Sequence, residues 1–167
     1  MTTMEQTAVT TQVYRVYIKA SPEAIWDAIT KPEWTQRYGY RGIAEYDLRP
    51  GGSYRVAASP EMQAMGMPAA LLDGEVIEAD PPRRLVQTWH ALWDEDIAAE
   101  RPTRVTFEIE EDDGGVMRLT VTHELEGAPV HAAQVASSAR LQQGGGGWAL
   151  ILSDLKTLLE TGSSFSG

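Results

Sequence analysis

Residues 144–162, GGGGWALILSDLKTLLETG, constrain the fold of this chain more than any other stretch. At about 100° per residue, Trp148, Ile151, Leu152, Leu155, Leu158 and Leu159 fall within an arc of roughly 120°. Ser153, Asp154, Lys156, Thr157 and Glu160 occupy the rest of the wheel. Gly162 follows the last periodic residue, where a left-handed C-cap is expected. A helix with one apolar stripe needs an apolar surface to lie on, and the stretches before it predict a sheet.

Gln12 to Ala20 reads as a strand, with Val13, Tyr14, Val16, Tyr17 and Ile18 supplying β-branched and aromatic side chains. Ser21-Pro22-Glu23 starts a short helix with an N-cap, a first-position proline and an acid in the first turn. Thr30-Lys31-Pro32-Glu33 has a capping-box pattern and predicts a second helix over about Pro32 to Tyr38. The period then changes to two. Strands are expected over 43–48, 53–58, 72–79, 84–93, 103–110 and 117–123, separated by turns rich in Pro, Gly and Asp. Ser59 to Ala70 reads as a loop closing over apolar surface, and Asp94 to Arg101 as an acidic loop. Ala132 to Gln143 reads equally as the first part of a long helix or as a separate turn. Clean alternation in the last two strands implies one wet and one buried face, as in an antiparallel sheet. The resulting order is β-α-α-β6-α: an α+β fold in which the strands curl around the final helix. One domain is expected over 12–162, with tails at 1–11 and 163–167.

Composition narrows the partners. The formal charge is 14 − 24 = −10, which argues against nucleic acid and anionic membranes, since both need clustered Lys and Arg. No cysteine is present, so disulfides, thiolate nucleophiles and cysteine-ligated zinc are excluded. MTTMEQTAVTT has neither the basic nor the apolar region of a secretory signal, and no window reaches 18 apolar residues. The expectation is a cytoplasmic protein with no membrane insertion.

Catalytic and cofactor motifs are weak. The histidines at 90, 123 and 131 show no metal-ligand spacing, and no metal or cofactor is expected. No Gly-x-Ser-x-Gly elbow exists. Gly144 to Ala149 formally fits Gly-x-Gly-x-x-Ala, but without the βαβ unit a dinucleotide site requires. The glycines are better suited to close packing or to a hinge. His123 is the best single polar candidate: it continues Met117, Leu119 and Val121 in the inward register, where it could orient a ligand or act as a base. On strand 84–93, Leu85, Gln87, Trp89 and Ala91 share one face and Val86, Thr88, His90 and Leu92 the other; the Trp89 face is the better candidate for the interior. Leu150 lies opposite the main stripe of the last helix and is a candidate homodimer contact.

SPEAIWDAIT and KPEWTQRYG, then DLRPGGSYRV, GEVIEADPPRRLVQTWH and the glycine-led helix, in that order, resemble the SRPBCC (START-like, helix-grip) superfamily. Within it they are most similar to the activator of heat-shock protein ATPase homologue (AHSA-type) branch, over about Val13 to Gly162. The resemblance implies a curved antiparallel sheet gripping the long C-terminal helix, with a hydrophobic cavity between them. Relatives include lipid carriers, receptors, polyketide cyclases and chaperone activators, so fold alone does not choose a function. The expected cavity lining is Trp34, Tyr38, Tyr46, Tyr54, Trp89, Trp93, Phe107, His123, Trp148 and Leu152. The leading expectation is a binding module for a small hydrophobic or aromatic molecule. The rivals are a cyclase- or hydrolase-like enzyme using His123, and a chaperone co-regulator.

Overall fold

The computed structural model describes residues 10–136 and 147–165. Along the chain run β1 (Thr11–Ile18), α1 (Pro22–Thr30), α2 (Pro32–Thr35), β2 (Ile43–Tyr46), β3 (Ser53–Ala57), α3 (Pro60–Ala64) and β4 (Ala70–Asp80). They are followed by β5 (Arg84–Ala91), α4 (Glu95–Ala98), β6 (Thr103–Glu111), β7 (Met117–Glu124), α5 (Pro129–Val135) and α6 (Gly147–Thr161). The strands form one seven-stranded sheet in the order β1-β7-β6-β5-β4-β3-β2. All neighbouring pairs are antiparallel. From β2 to β7 the chain meanders, and β1 then pairs with β7, setting Val16 opposite Leu119 and Ile18 opposite Met117. Register breaks after Val56 in β3 and between Val76 and Glu78 in β4 bend and twist the strands that carry them. The curved sheet and α6 make the helix-grip α+β fold.

Local chemistry explains the helix starts. The Ser21 hydroxyl accepts the Ala24 N–H at 3.1 Å, with Pro22 in the first turn of α1. The expected capping box at Thr30 does not form. Thr30 is the last residue of α1 and its hydroxyl donates to the Trp26 carbonyl at 2.8 Å, so Lys31 takes the N-cap position of α2 without a side-chain bond. Nor does α2 reach Tyr38: it is one turn long, and the chain swings inward through Gly39 at φ +61°. Both expected loops contain a short helix. Ser59 accepts the Met62 N–H to cap α3, and Asp94 accepts the Asp96 and Ile97 N–H groups to cap α4. The ambiguous 132–143 stretch starts inside α5, whose N-terminal Val130 and His131 N–H groups donate to the Glu100 carboxylate at 2.8 and 2.9 Å. Residues 137–143, and with them Gly144 to Gly146, lie outside the described residues.

The core lies between α6, α1 and the inner sheet face, where Leu155 and Leu158 are buried with Ile18, Ile25 and Leu119. Asp154, placed on the polar side by the helical wheel, is 0% exposed. Its carboxylate accepts the Gly39 N–H at 2.9 Å, the Ser164 hydroxyl at 2.8 Å and the Phe165 N–H at 2.9 Å. Residues 164 and 165, read as part of a tail, thus fold back onto α6. On the other side, Lys156 Nζ donates to the Tyr17 carbonyl at 2.6 Å and to Glu160 at 2.7 Å, and Glu160 accepts the Lys19 N–H at 2.8 Å. These polar bonds hold α6 against β1 while its leucines fill the space beneath.

Candidate functional site

Beside the N-terminal half of α6 a cavity of about 580 Å³ opens between helix and sheet. Its walls come from nearly every element: Tyr46 of β2, Tyr54 of β3, Trp89 of β5, Phe107 of β6, His123 of β7, and Trp148 and Leu152 of α6. Tyr38 and Trp93 complete the expected set that lines it. Trp34 is the exception. It packs at the margin of the core, with the Arg37 guanidinium 4.7 Å from its ring centre, and is not a wall residue. It is the neighbouring Thr35 of α2 that reaches the cavity.

The aromatic wall follows from strand register. Tyr46 and Tyr54 are cross-strand partners, and their ring centres lie 4.5 Å apart. Gly74 is the β4 residue opposite Tyr54. It brings no side chain between strands, and a Cβ there would lie 2.5 Å from the Thr88 carbonyl oxygen. Tyr54 and Trp89 stack at 5.8 Å with planes 25° apart, and Trp89 meets Trp148 at 5.2 Å. Phe107 meets Trp148 edge-on at 5.8 Å. These rings brace one another across β2, β3, β5, β6 and α6.

His123 is fully buried, and both ring nitrogens are engaged. The Trp148 indole N–H donates to Nδ1 at 3.1 Å. An indole is only a donor, so Nδ1 carries the lone pair and Nε2 the proton. Nε2–H then donates to the Thr103 hydroxyl at 2.7 Å, which donates to the Trp89 carbonyl at 3.0 Å. Burial, reinforced by His131, pushes the His123 pKa down to about 3. A base needs a free lone pair, and this one is committed to Trp148. The expected catalytic candidate is therefore a neutral strut joining α6, β7 and β6.

Residues that the sequence reading did not place on this cavity also line it. His131 of α5 sits with its ring centre 5.2 Å from that of His123 and 6.3 Å from that of Trp93. Burial lowers its pKa, against the opposing pull of Glu100. Tyr40, Arg41, Met62, Met65 and Met67 form further wall, and Met65 is largely exposed. The only sequence signal for the three methionines was the methionine-rich composition of 59–70. Gln87, on the Trp89 face of β5, is 0% exposed, and its Oε1 accepts the Tyr46 hydroxyl at 2.8 Å. Burial raises the hydroxyl pKa values of both Tyr46 and Tyr54. His90 faces the other way, with Nδ1 3.0 Å from Asp73 and Nε2 2.9 Å from the Ala98 carbonyl. Among the described residues no cluster of three metal-ligating side chains occurs, and no helix is long and apolar enough to cross a membrane.

Comparison with known proteins agrees with the fold. A family model described as activator of Hsp90 ATPase homolog 1-like protein matches residues 19–160. The structure is similar to MLL2253 from Mesorhizobium loti, with 22% identity, a TM-score of 0.64, and 90% of this chain and 96% of that one covered. It is also similar to CalU16 from Micromonospora echinospora, with 21% identity, a TM-score of 0.58 and coverage of 91% and 77%. A third similar structure is PFC0360w, an Hsp90 activator from Plasmodium falciparum, with 19% identity, a TM-score of 0.61 and coverage of 90% and 96%. A search of the curated proteins finds no match.

Proposed function

The chain belongs to the activator of Hsp90 ATPase homolog 1-like family, and on that premise we propose that it is a binding module that encloses a small hydrophobic or aromatic molecule between the sheet and α6. The observation that carries this reading is the aromatic-walled cavity of about 580 Å³, which falls in the range of ligand pockets, roughly 300–1,000 Å³. Binding is favoured over catalysis because His123 spends both nitrogens on protein partners. The acidic balance and the lack of cysteine fit action in the cytoplasm.

Native mass spectrometry of freshly purified protein tests the reading: a retained small molecule is expected, and the same spectrum gives the subunit count. Leu152→Trp would fill the cavity from α6 and is expected to weaken that retention at least about tenfold while leaving the far-ultraviolet dichroism unchanged. Retention undiminished in Leu152→Trp would place the ligand elsewhere.

A second reading, a protein-partner role, has one observation in its favour. β1 is an edge strand, and Val13 and Tyr17 on it are 57% and 46% exposed. A homodimer or a chaperone partner would cover that edge. Light scattering of the wild type beside Val13→Glu separates the self-associating form from the monomer.

A further inference from the structure

We infer that the cavity takes a molecule bearing a phenolic hydroxyl, and that His131 of α5 accepts the hydrogen bond from that hydroxyl; this rests on the binding reading above. His131 is a wall residue and is 2% exposed. Outside its own helix, the hydrogen bond it makes among the described residues runs from its backbone N–H to Glu100. Neither ring nitrogen has a partner there. Nor is either nitrogen sealed away: the enclosed, unpartnered side-chain atoms are Gln87 Nε2 and Trp93 Nε1. The imidazole nitrogens therefore touch open space, and for a wall residue so little exposed that space is the cavity.

The neighbouring histidine supplies the contrast. His123, its ring centre 5.2 Å away and its plane at 84°, has both nitrogens bonded, to Trp148 and Thr103. His131 brings the same ring to the same cavity with its lone pair uncommitted. Burial lowers its pKa, Glu100 opposes that and His90 adds to it, while His123 beside it is itself neutral. A neutral imidazole keeps one nitrogen lone pair as an acceptor. No Asp, Glu or Lys lines the cavity, so this lone pair is the strongest base on the wall. Its best complement is a neutral, strongly polarised O–H. A carboxylate would bring no proton to share and would lose far more hydration on entering so apolar a space. A phenol carries that O–H on a ring suited to the walls that Trp89, Trp93 and Trp148 provide.

Two probes of nearly one shape separate the chemistry: 2-naphthol carries the hydroxyl, and 2-methoxynaphthalene keeps the oxygen but has no proton to donate. Equilibrium dialysis is expected to show 2-naphthol binding roughly threefold to tenfold tighter. His131→Phe keeps a ring against Trp93 and His123 but removes the lone pair. It should abolish the 2-naphthol preference and leave 2-methoxynaphthalene affinity within about twofold. Where that variant does not fold, His131→Leu takes its place with the same expected outcome. Equal binding of the two probes to the wild type, or tighter binding of 2-methoxynaphthalene, would overturn the inference and leave the binding reading standing. A 2-naphthol preference that survives the loss of the imidazole would overturn it too, by placing the acceptor elsewhere. Failure of both probes to bind would overturn the inference, and with it the binding reading if native mass spectrometry also finds no retained molecule.

Discussion

The two ends of α6 meet the same sheet with the same apolar stripe, yet they build opposite things. At the C-terminal end Leu158 is buried in the core that also holds Ile18 and Ile25 and does not line the cavity, and polar bonds from Asp154, Lys156 and Glu160 tie the helix down. At the N-terminal end Trp148 packs on Trp89 and Phe107, and together with Leu152 and Tyr54 these rings line the cavity. The difference lies in side-chain shape and bracing. At one end aliphatic chains close on one another, while at the other mutually braced rings, tied also by the His123 hydrogen bonds, border the cavity. One end serves stability, and the other holds the volume that a ligand would use.

The comparison breaks most easily at the sealed end. Leu158→Ala is expected to lower the free energy of unfolding by about 3–4 kcal/mol, because the void it leaves cannot collapse; urea denaturation measures this. A loss no greater than that of Leu152→Ala would abolish the distinction between the ends.

The next effect concerns the strut. His123 is neutral when folded, with its pKa held down near 3 chiefly by burial, whereas the unfolded chain takes up that proton below about pH 6.5. The stability His123 contributes is therefore complete above pH 6.5 and is lost as the pH falls toward 3, by up to about 1.4 kcal/mol for each pH unit. Between pH 7 and pH 4.5 the wild type should lose about 2–3 kcal/mol more than His123→Gln, read from urea midpoints at the two pH values. Parallel losses would mean that the histidine is not held neutral. The smallest effect belongs to the open end: Leu152→Ala should cost only about 1–2 kcal/mol, since one side of that leucine already faces space.

Much of this was legible from residue order. The period-two runs located the strands, Ser21-Pro22-Glu23 located α1, and the inward register of Met117, Leu119 and Val121 carried His123 with it. Trp89 of β5 does line the cavity, on the face of that strand favoured for the interior. Other features left no periodic trace. A four-residue helix such as α2 or α4 is too short to show a period, so nothing in the sequence told Trp34, off the cavity, from Thr35, which lines it. Asp154 sits about 40° beyond Leu158 on the helical wheel, where sequence alone reads solvent. It is buried because the turn at Gly39 and residues 164–165 cover that flank. His131 reaches the cavity only because Glu100, some thirty residues earlier, holds the start of α5.

By itself the sequence determined the order of elements, the two faces of the sheet and the stripe by which α6 must lie on it, because periodicity is a local property and burial follows it. The tertiary structure decided how far helix and sheet stand apart and which polar atoms find partners. Those outcomes depend on which rings brace each other across strands and on where distant backbone groups arrive, and contacts so remote along the chain have no counterpart in its local pattern.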